Sequence, residues 1–450
     1  MILDERLLEQ NGITPELLAV LIRRHENMTS NFAKMYSYYT GKHSILERKR
    51  NSENAANNRI VCNHAKYIVD ITTAYLAGNP LKYEVSEGYD IEAVKNEYLE
   101  QNIARIDAEI VKQMGIYGRT YELVYGNDES KPRSAYISPN QAFVVYNDDC
   151  TRYPLFGVYY YKTHDINGNV TGVVCNVYDK ESNYTYEAQT DSWEAMELTS
   201  EQEHYFGEVP LIEHINNEER MGDFEPVTTL IDAYNELQSD RVDDKEDFVD
   251  AFLFLKSLDV DSDTAKKLKE ERILLGFENS DAKFLSKIMT ESDVKVLRDD
   301  LKEDIHRFSL VPDLSDDSFG NNLSGVAIRY KILAFEQMVK NKEASFKASL
   351  EKRFELYNNY LSVKGTASKV PKHRVDIKFT HNLPVNNLEI AQMVNYLKDD
   401  LSLATKLGQF DFISDAEEEV KLVNEERKKR QEEMATYTKP IKVNYEDEQE

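Results

Sequence analysis

The chain has 450 residues, of which 41% are hydrophobic and 30% charged, a globular composition that excludes a disordered or fibrous protein. Its 81 acidic and 55 basic residues leave a net charge of −26. This balance argues against tight, sequence-independent DNA binding, which needs cations to replace the phosphate counterions. No apolar run reaches the roughly 18–20 residues that cross a bilayer, and one core rarely exceeds about 250–300 residues, so we expect several domains and no membrane span.

The first third of the chain is predicted to be helical. Thr14 followed by Pro15 is an N-cap with proline at the first helical position. A second helix is expected over residues 63–77, ended by Gly78, and a third over 91–116. Between the first two, residues 41–59 are polar and predict a mobile loop whose basic side chains face solvent.

From residue 117 to 216 the apolar period changes to two, which predicts antiparallel strands separated by turns. The tyrosines there are expected to form cross-strand pairs on a half-buried sheet rather than to stack on nucleic-acid bases. The predicted strands are 121–125, 142–146, 155–159, 173–178 and 184–186.

After Pro226 the sequence returns to a helical pattern, and one helix is predicted to run to about Leu258. Residues 259–289 form a compact insert with a short helix at 264–271 and strands at 273–275 and 283–285. The insert carries seven acids and six bases, nearly neutral in an acidic chain, which would suit a docking face. Thr290 can cap the next helix, whose apolar stripe extends to Phe308.

Residues 312–324 are rich in Asp, Ser, Asn and Gly and predict a flexible loop. The stretch 326–361 then repeats apolar residues in steps of three, four and seven without Gly or Pro, which predicts one helix of roughly 55 Å. A strand at 375–379 and two further helices follow, the helices capped at Asn386 and Ser414 by capping boxes. The acidic end, 444–450, is expected to be disordered.

Few motifs suggest chemistry. Residues 259–270 carry acids at the ligand positions of an EF-hand loop, but Thr264 replaces the required glycine, so an N-cap cluster is the preferred interpretation. The carboxylates of 299–304 resemble a two-metal nuclease site only weakly and fit a solvated, ion-paired helix face better. P-loop, HExxH and GxSxG motifs are missing, and nothing supports an enzyme, a metal or another cofactor.

Residues 1–6 lack the pattern of a signal peptide. The three cysteines, Cys62, Cys150 and Cys175, are far apart, which argues against a disulfide framework and a cysteine-based zinc site. We therefore expect folding in a reducing cytoplasm.

The order of several segments over about residues 15–435 resembles the portal (head-to-tail connector) proteins of tailed double-stranded DNA phages, in the branch from long-tailed phages of Gram-positive bacteria. The segment heading the long helix, 324–328 (SGVAI), is the most specific. The others are 59–70 (RIVCNHAKYIVD), 75–80 (YLAGNP), 206–212 (FGEVPLI), 224–227 (FEPV), 230–234 (LIDAY), 382–384 (NLP) and 402–405 (SLAT).

The resemblance implies an α+β portal fold that forms a ring of about twelve subunits around a channel. It has long stem and tunnel helices, a mixed α/β wing and clip, and a helical crown. The implied divisions are a wing at 1–225, stem helices at 226–258 and 290–309, a clip at 259–289, a tunnel loop at 310–324, a tunnel helix at 325–361, a return to the wing at 362–385, a crown at 386–435 and an acidic tail at 436–450.

The resemblance further implies a structural protein of the virion, at the capsid portal vertex, present in the host cytoplasm during assembly. Double-stranded DNA would pass through the channel during packaging and ejection. The implied partners are the terminase large subunit, a head-tail adaptor, and the scaffolding and major capsid proteins. Another ring-forming minor head or connector protein, a metal-dependent nuclease and a monomeric calcium-binding module are the alternatives.

Three groups of site residues follow from these implied divisions. The channel loop would comprise Pro312, Asp313, Leu314, Ser315, Asp316, Asp317, Ser318, Phe319, Asn321 and Asn322. The start of the tunnel helix would comprise Ser324, Gly325 and Arg329, and the partner-binding lysines of the clip would be Lys266, Lys267, Lys283 and Lys287. Because an acidic wall lacks cations to hold phosphates, the aspartates of the loop are expected to let DNA slide.

Overall fold

The structure, a computed structural model, describes residues 1–50, 56–249, 252–256, 281–285, 291–315, 325–381, 387–397, 401–410, 413 and 416–437. The chain divides into two compact units. The first consists of Met1–Leu314 and Ile332–Asn382, and the second of Ser315–Lys331 and Leu383–Glu450.

The helices of the first unit begin where capping side chains predict them. Thr14 Oγ1 accepts a hydrogen bond from the amide of Leu17 (3.3 Å), and Asn63 Oδ1 accepts one from the amide of Lys66 (3.0 Å). The helices that start at Pro15 and His64 are therefore confirmed. In chain order the helices are α1 (Glu5–Asn11), α2 (Pro15–Tyr39), α3 (His64–Ala77), α4 (Glu92–Glu100), α5 (Ile103–Tyr117), α6 (Thr228–Val249), α7 (Glu291–Ser309) and α8 (Gly325–Val363).

The single helix predicted over 91–116 is wrong, because the chain breaks between α4 and α5. Asn102 adopts a left-handed conformation (φ 55°), which asparagine tolerates better than most residues. The neighbouring Gln101 accepts a hydrogen bond from the amide of Ser134 (2.9 Å) and donates one to Tyr357 Oη (2.6 Å). These long-range bonds favour the break, and local periodicity does not reveal them.

Six strands build the main sheet, in the spatial order β1, β5, β6, β7, β8, β9. The N-terminal strand β1 pairs in parallel with β5, and all other neighbours are antiparallel. A second sheet has the order β10, β3, β4. The strands of these two sheets are β1 (Ile2–Leu3), β3 (Arg119–Gly126), β4 (Pro132–Ile137), β5 (Ala142–Asn147), β6 (Pro154–His164), β7 (Val170–Tyr178), β8 (Ser182–Ala188), β9 (Glu197–Glu203) and β10 (Leu211–Ile215).

All five strands predicted between residues 117 and 216 are confirmed, and the period-2 pattern places one face of the main sheet in a core. Leu18 and Ile22 of α2 pack in that core with Phe143 of the sheet, all at most 1% exposed. Tyr160 and Tyr186 are buried in the same core, which supports the structural interpretation of the strand tyrosines over base stacking.

The helix predicted from residue 226 to about Leu258 ends early, at Val249. Residues Phe252–Lys256 instead form strand β11, which pairs antiparallel with β12 (Asp281–Leu285). The run Phe-Leu-Phe-Leu has aromatic and apolar residues without a polar helical face, and such runs favour strands when a partner is available. The predicted strand at 283–285 is confirmed, whereas the predicted elements at 264–271 and 273–275 lie outside the described residues.

The polar loop predicted at 41–59 is anchored in its described part. Arg50 Nη2 lies 2.7 Å from both Asp240 and Asp243 of α6, and Arg48 pairs with Asp240. The amide of Asn58 donates to Asp243 Oδ1 (2.7 Å). These arginines do not face solvent alone, so the expectation of solvated basic side chains is wrong at Arg48 and Arg50.

Helix α8 is continuous over 39 residues, which confirms the long helix and corresponds to roughly 58 Å. Its predicted stripe is buried from Ile332 to Leu361, with no stripe residue in that stretch more than 4% exposed. The predicted strand near 375 is confirmed as β13 (Val375–Lys378), paired with β2 (Lys82–Val85). Burial of one face stabilises a helix of this length, because tertiary packing supplies most of the stability of helices in proteins.

The second unit contains three further helices, α9 (Asn387–Tyr396), α10 (Leu403–Leu407) and α11 (Ala416–Tyr437). The side chain of Ser402 caps α10 by accepting from the amide of Thr405 (3.2 Å). The predicted caps Asn386 and Ser414 lie outside the described residues, and the helices that follow them begin at Asn387 and Ala416. In the part of the chain that the structure describes, no helix has the length and apolar character of a membrane span.

Candidate functional site

The chain turns sharply after α7 and enters the predicted channel loop through residues 310–314, which we call the loop root. Leu310 has a left-handed conformation (φ 60°), and the following Val311 is completely buried. His306 Nδ1 donates a hydrogen bond to the carbonyl of Val311 (2.9 Å). The last turn of α7 therefore holds the entry to the loop.

Tyr67 of α3 bridges the loop root from the opposite side. Its hydroxyl donates to the carbonyl of Pro312 (3.2 Å) and accepts from the amide of Leu314 (2.8 Å). Burial raises the pKa of the Tyr67 phenol, so the group stays neutral and keeps its proton for the carbonyl. One side chain thus satisfies a backbone acceptor and a backbone donor two residues apart.

An ion pair completes the loop root. Lys302 of α7 lies 2.5 Å from the carboxylate of Asp313, with the two side chains 36% and 16% exposed. Asp313 was expected to present its charge to the channel, but its carboxylate also has this structural contact. The geometry assigns Asp313 a part in holding the loop.

A cluster of aromatic rings packs around the residues that hold the loop root. The ring of His64 lies 5.5 Å from that of His306 and 5.0 Å from that of Tyr234, while Tyr67 lies 5.5 Å from His306. Burial, with a smaller effect of the nearby His306, lowers the pKa of His64 to about 4. His64 is therefore neutral near pH 7 and packs as an aromatic ring.

The structure describes only part of the predicted site. Pro312, Asp313, Leu314 and Ser315 lie in the described ranges, and Gly325 starts α8, which also contains Arg329. Lys283 lies in β12 opposite Phe254 of β11. The remaining predicted residues lie outside the described ranges: Asp316, Asp317, Ser318, Phe319, Asn321, Asn322, Ser324, Lys266, Lys267 and Lys287.

Of the residues that hold the loop root, Asp313 was predicted as a site residue, whereas His64, Tyr67, Lys302 and His306 were not. His64 and Tyr67 lie in segment 59–70, which carries the family resemblance, and Lys302 lies among the acids of α7. The contacts of His64 and Tyr67 with α7 and the loop root span more than 200 residues of sequence. A polar side chain inside a family-typical helix was the only available signal.

A second polar cluster lies deep in the first unit and fixes α8. Arg353 Nε donates to Glu122 (2.7 Å), and its Nη1 donates to Asp107 (2.5 Å). His214 Nε2 lies 2.9 Å from Glu122, and Ser349 lies 2.7 Å from the other ring nitrogen of His214. Sequence analysis flagged none of these residues, because their contacts join elements that lie far apart in the sequence.

The pKa values in this cluster reflect burial and charge in competition. Burial would raise the pKa of Glu122, but the charge of Arg353 and the hydrogen bond of His214 lower it to about 2. For Asp107 burial has the larger effect and raises the pKa. Glu122 is therefore the main ion-pair partner of Arg353, because its carboxylate contacts both the guanidinium of Arg353 and the imidazole of His214.

The carboxylates that suggested a nuclease fit the ion-paired helix face that we preferred. Asp299 accepts from Arg298 (2.6 Å), and Asp304 lies 3.5 Å from Arg307. Among the residues that the structure describes, no group of three or more His, Cys, Asp or Glu side chains is arranged to hold a metal ion. The segment that resembles a calcium loop, 259–270, lies outside them.

Comparison with known proteins gives a consistent result. The family model described as "Phage portal protein, SPP1 Gp6-like" matches residues 18–433. The portal protein of Bacillus phage SPP1 is 25% identical over 441 residues, covering 94% of this chain and 85% of that protein. The portal protein of Clostridium phage phiCD119 is 22% identical over 431 residues, covering 87% of this chain and 91% of that protein.

One of the similar solved structures is the neck of an empty gene transfer agent particle, with 14% identity and a TM-score of 0.42 over 80% of this chain and 88% of that one. A TM-score of that size does not establish a common fold. The family model covers most of the chain, in agreement with the order of segments found in the sequence. The chain therefore belongs to the SPP1 Gp6-like family of phage portal proteins.

Proposed function

We propose that this portal protein forms a ring of about twelve subunits at one capsid vertex, with a central channel for double-stranded DNA during packaging and ejection. The family match over residues 18–433 is the observation that carries the proposal. Elongated helices suit a head-to-tail ring because each can pack along a neighbouring copy. The protein then belongs to the virion and resides in the host cytoplasm during assembly.

The divisions of the subunit follow the family order. Residues 1–225, with part of 362–385, form the wing. Residues 226–258 and 290–309, which contain α6 and α7, form the stem, and residues 259–289, which contain β12, form the clip. Residues 310–324 are the tunnel loop and 325–361 the tunnel helix. Residues 386–435 form the crown and 436–450 an acidic tail.

The tunnel loop passes DNA because it repels phosphates. Asp316 and Asp317 supply negative charge, while Asp313 also serves the loop root through Lys302. A lining without cations releases no counterions from DNA and so gains no affinity for it. The protein acts as a conduit and platform without catalysis of its own, and the terminase supplies the motor.

Electron micrographs of the purified protein test the ring directly. We expect class averages with a central hole and cyclic symmetry near twelvefold. Particles without a hole, or a monomer at every concentration, would contradict the proposal.

A packaging assay tests the acidic loop. The double variant Asp316→Lys/Asp317→Lys should slow DNA filling or trap DNA, because the new cations bind phosphates. The matched control is Glu197→Lys/Glu203→Lys on the exposed strand β9, which changes net charge by the same amount. Normal filling in the loop variant, or an equal defect in both variants, would exclude a charge effect in the channel.

The clip docks the terminase large subunit and later the head-tail adaptor, and the wing and crown meet the scaffolding and major capsid proteins. Charge reversal at Lys283 and Lys287 should weaken capture of the first two partners. Reversal of the exposed Lys34 and Lys49 is the control. Unchanged capture of both partners by the Lys283/Lys287 variant would remove the clip assignment.

A further inference from the structure

A cavity of 680 Å³ lies in the first unit, bounded by β1, α2, the sheet of β10 and β3, and α8. Part of its wall is apolar, formed among others by Met28, Phe143, Ile215 and Ala348. Pockets that hold small molecules have volumes of about 300–1,000 Å³ and combine apolar walls with a few polar groups. This cavity has both properties.

Its charged side chains are mainly cationic, although the whole chain carries a net charge of −26. Five basic side chains line the cavity, and each comes from a different element or connection. They are Arg24, Arg119, Arg152, Arg220 and Lys352. Their convergence from separate parts of the chain concentrates positive charge around one chamber.

The single carboxylate of the lining already has partners. Glu213 accepts from Arg220 Nε (3.1 Å) and from Tyr146 Oη (2.8 Å), and its side chain is 5% exposed. Arg119 lies farther away, at 3.8 Å, and its Nε is buried without a hydrogen-bond partner in the described part of the chain. Glu213 therefore offsets Arg220 and, more weakly, Arg119, so that the five basic side chains still outnumber the carboxylate of the lining.

Lys352 shows the same imbalance. Burial lowers the pKa of its ammonium to about 8, and the attraction of Glu208 and Glu355 does not compensate. Arg24 and Arg152 are exposed and stand at the rim. An anion in the cavity would favour the charged form of Lys352 and offset the charge of the arginines that line the cavity.

We propose that this cavity binds a small phosphate-bearing molecule of nucleotide size. Arginine forks match phosphate oxygens in a bidentate geometry, and the apolar wall suits the remainder of such a ligand. A DNA duplex does not fit, since it is far larger than a cavity of 680 Å³. An extended acidic peptide is less favoured, because the cations surround a chamber instead of following a groove. The site is independent of the channel role.

Calorimetric titration of the full chain with ATP and with inorganic pyrophosphate tests this site. We expect binding that weakens as salt rises. Arg24→Ala and Lys352→Met should each weaken it by about tenfold, through loss of one charged contact. Arg23→Ala is the matched control, because Arg23 is the neighbour of Arg24 on α2 but pairs with Glu194 outside the cavity lining.

The affinities for ATP and for pyrophosphate show which part of the ligand the cavity recognises. Tighter binding of ATP assigns the apolar wall to a base, and equal binding assigns the site to the phosphates alone. Failure of both ligands to bind at about 1 mM overturns the proposal. The proposal is also overturned if Arg24→Ala and Lys352→Met leave the affinities unchanged. It is overturned as well if a Glu-rich peptide binds in place of the phosphates, or if a DNA duplex fully displaces ATP. Because Arg24 is exposed, its variant should keep the wild-type melting temperature.

Discussion

The Arg353 cluster and the loop root both hold a segment by polar contacts, but water reaches them to very different extents. Arg353 and Glu122 are completely buried, whereas Lys302 and Asp313 are 36% and 16% exposed. A buried ion pair is costly to break because the remaining charge has no solvent. Breaking a partly exposed pair costs little free energy, because water solvates the charge that remains.

This difference indicates how the portal subunit can be rigid in one place and adaptable in another. Helix α8 is fixed to α5 and β3 by the ion pairs of Arg353, whose loss leaves uncompensated charge, and to β10 by the hydrogen bond between Ser349 and His214. The hydrogen bonds of Tyr67 and His306 and the ion pair between Lys302 and Asp313 contribute to holding the loop root. Segments that move in function belong to the low-stability part of a structure, and we expect the loop root to open more readily than the Arg353 cluster because its ion pair is partly exposed to water.

The largest effect is expected from Arg353→Met. The variant leaves the carboxylates of Glu122 and Asp107 buried without their cation, at a cost of about 3–5 kcal/mol in the free energy of unfolding. Chemical denaturation measures this loss. Neutralising both acids as well (Glu122→Gln, Asp107→Asn) should recover part of it, and a loss below about 1 kcal/mol for Arg353→Met would place this cluster on a level with the loop root.

The next effect concerns pH at the loop root. His64 has a pKa of about 4 in the folded chain and about 6.5 when unfolded, so between these values only the unfolded chain binds the proton. Stability should therefore fall as pH drops from 6.5 to 4, by about 2–3 kcal/mol for this residue.

The variant His64→Gln removes that titration and should show a shallower decline over the same window. His25, whose pKa is also lowered to about 4, contributes in both proteins and does not mask the difference. Urea denaturation at pH 7 and at pH 4.5 measures the slopes. Parallel declines in the two proteins would show that His64 is not protected from protons.

A smaller effect is expected from Tyr67→Phe. The variant removes the bonds to Pro312 and Leu314, with a cost of about 1–2 kcal/mol, and exposes the Leu314 amide to exchange. Hydrogen exchange of a peptide covering the loop root should accelerate, while one covering Arg353 should not. Tyr39→Phe, which loses a bond to Asp70 near the same helix, is the control. If hydrogen exchange of the loop-root peptide accelerated equally in both variants, Tyr67 would have no specific role in holding the loop root.

The smallest effect is expected from Asp313→Asn. Because the pair with Lys302 is partly exposed, its loss should cost at most about 1 kcal/mol, and less at high salt. Denaturation at low and high ionic strength measures both values. A salt-independent loss above about 2 kcal/mol would mean that the loop root is as closed as the Arg353 cluster.

The sequence by itself determined the features that depend on neighbours within a few residues. Thr14 and Asn63 cap their helices as predicted, since a cap requires only a side chain and an amide three residues away. The stripe of α8 and the period-2 strands follow for the same reason. The order of these elements was also sufficient to indicate the portal family.

Only the tertiary structure decided the features that depend on distant partners. The break at Asn102 and the strand β11 each oppose a local helical pattern, because Ser134, Tyr357 or β12 offers hydrogen bonds that lie far away in sequence. The contacts of Tyr67 and Arg353 with residues more than 200 positions away belong to the same class. Local propensity is worth a fraction of a kcal/mol per residue, about 0–1, so packing and burial decide wherever they disagree with it.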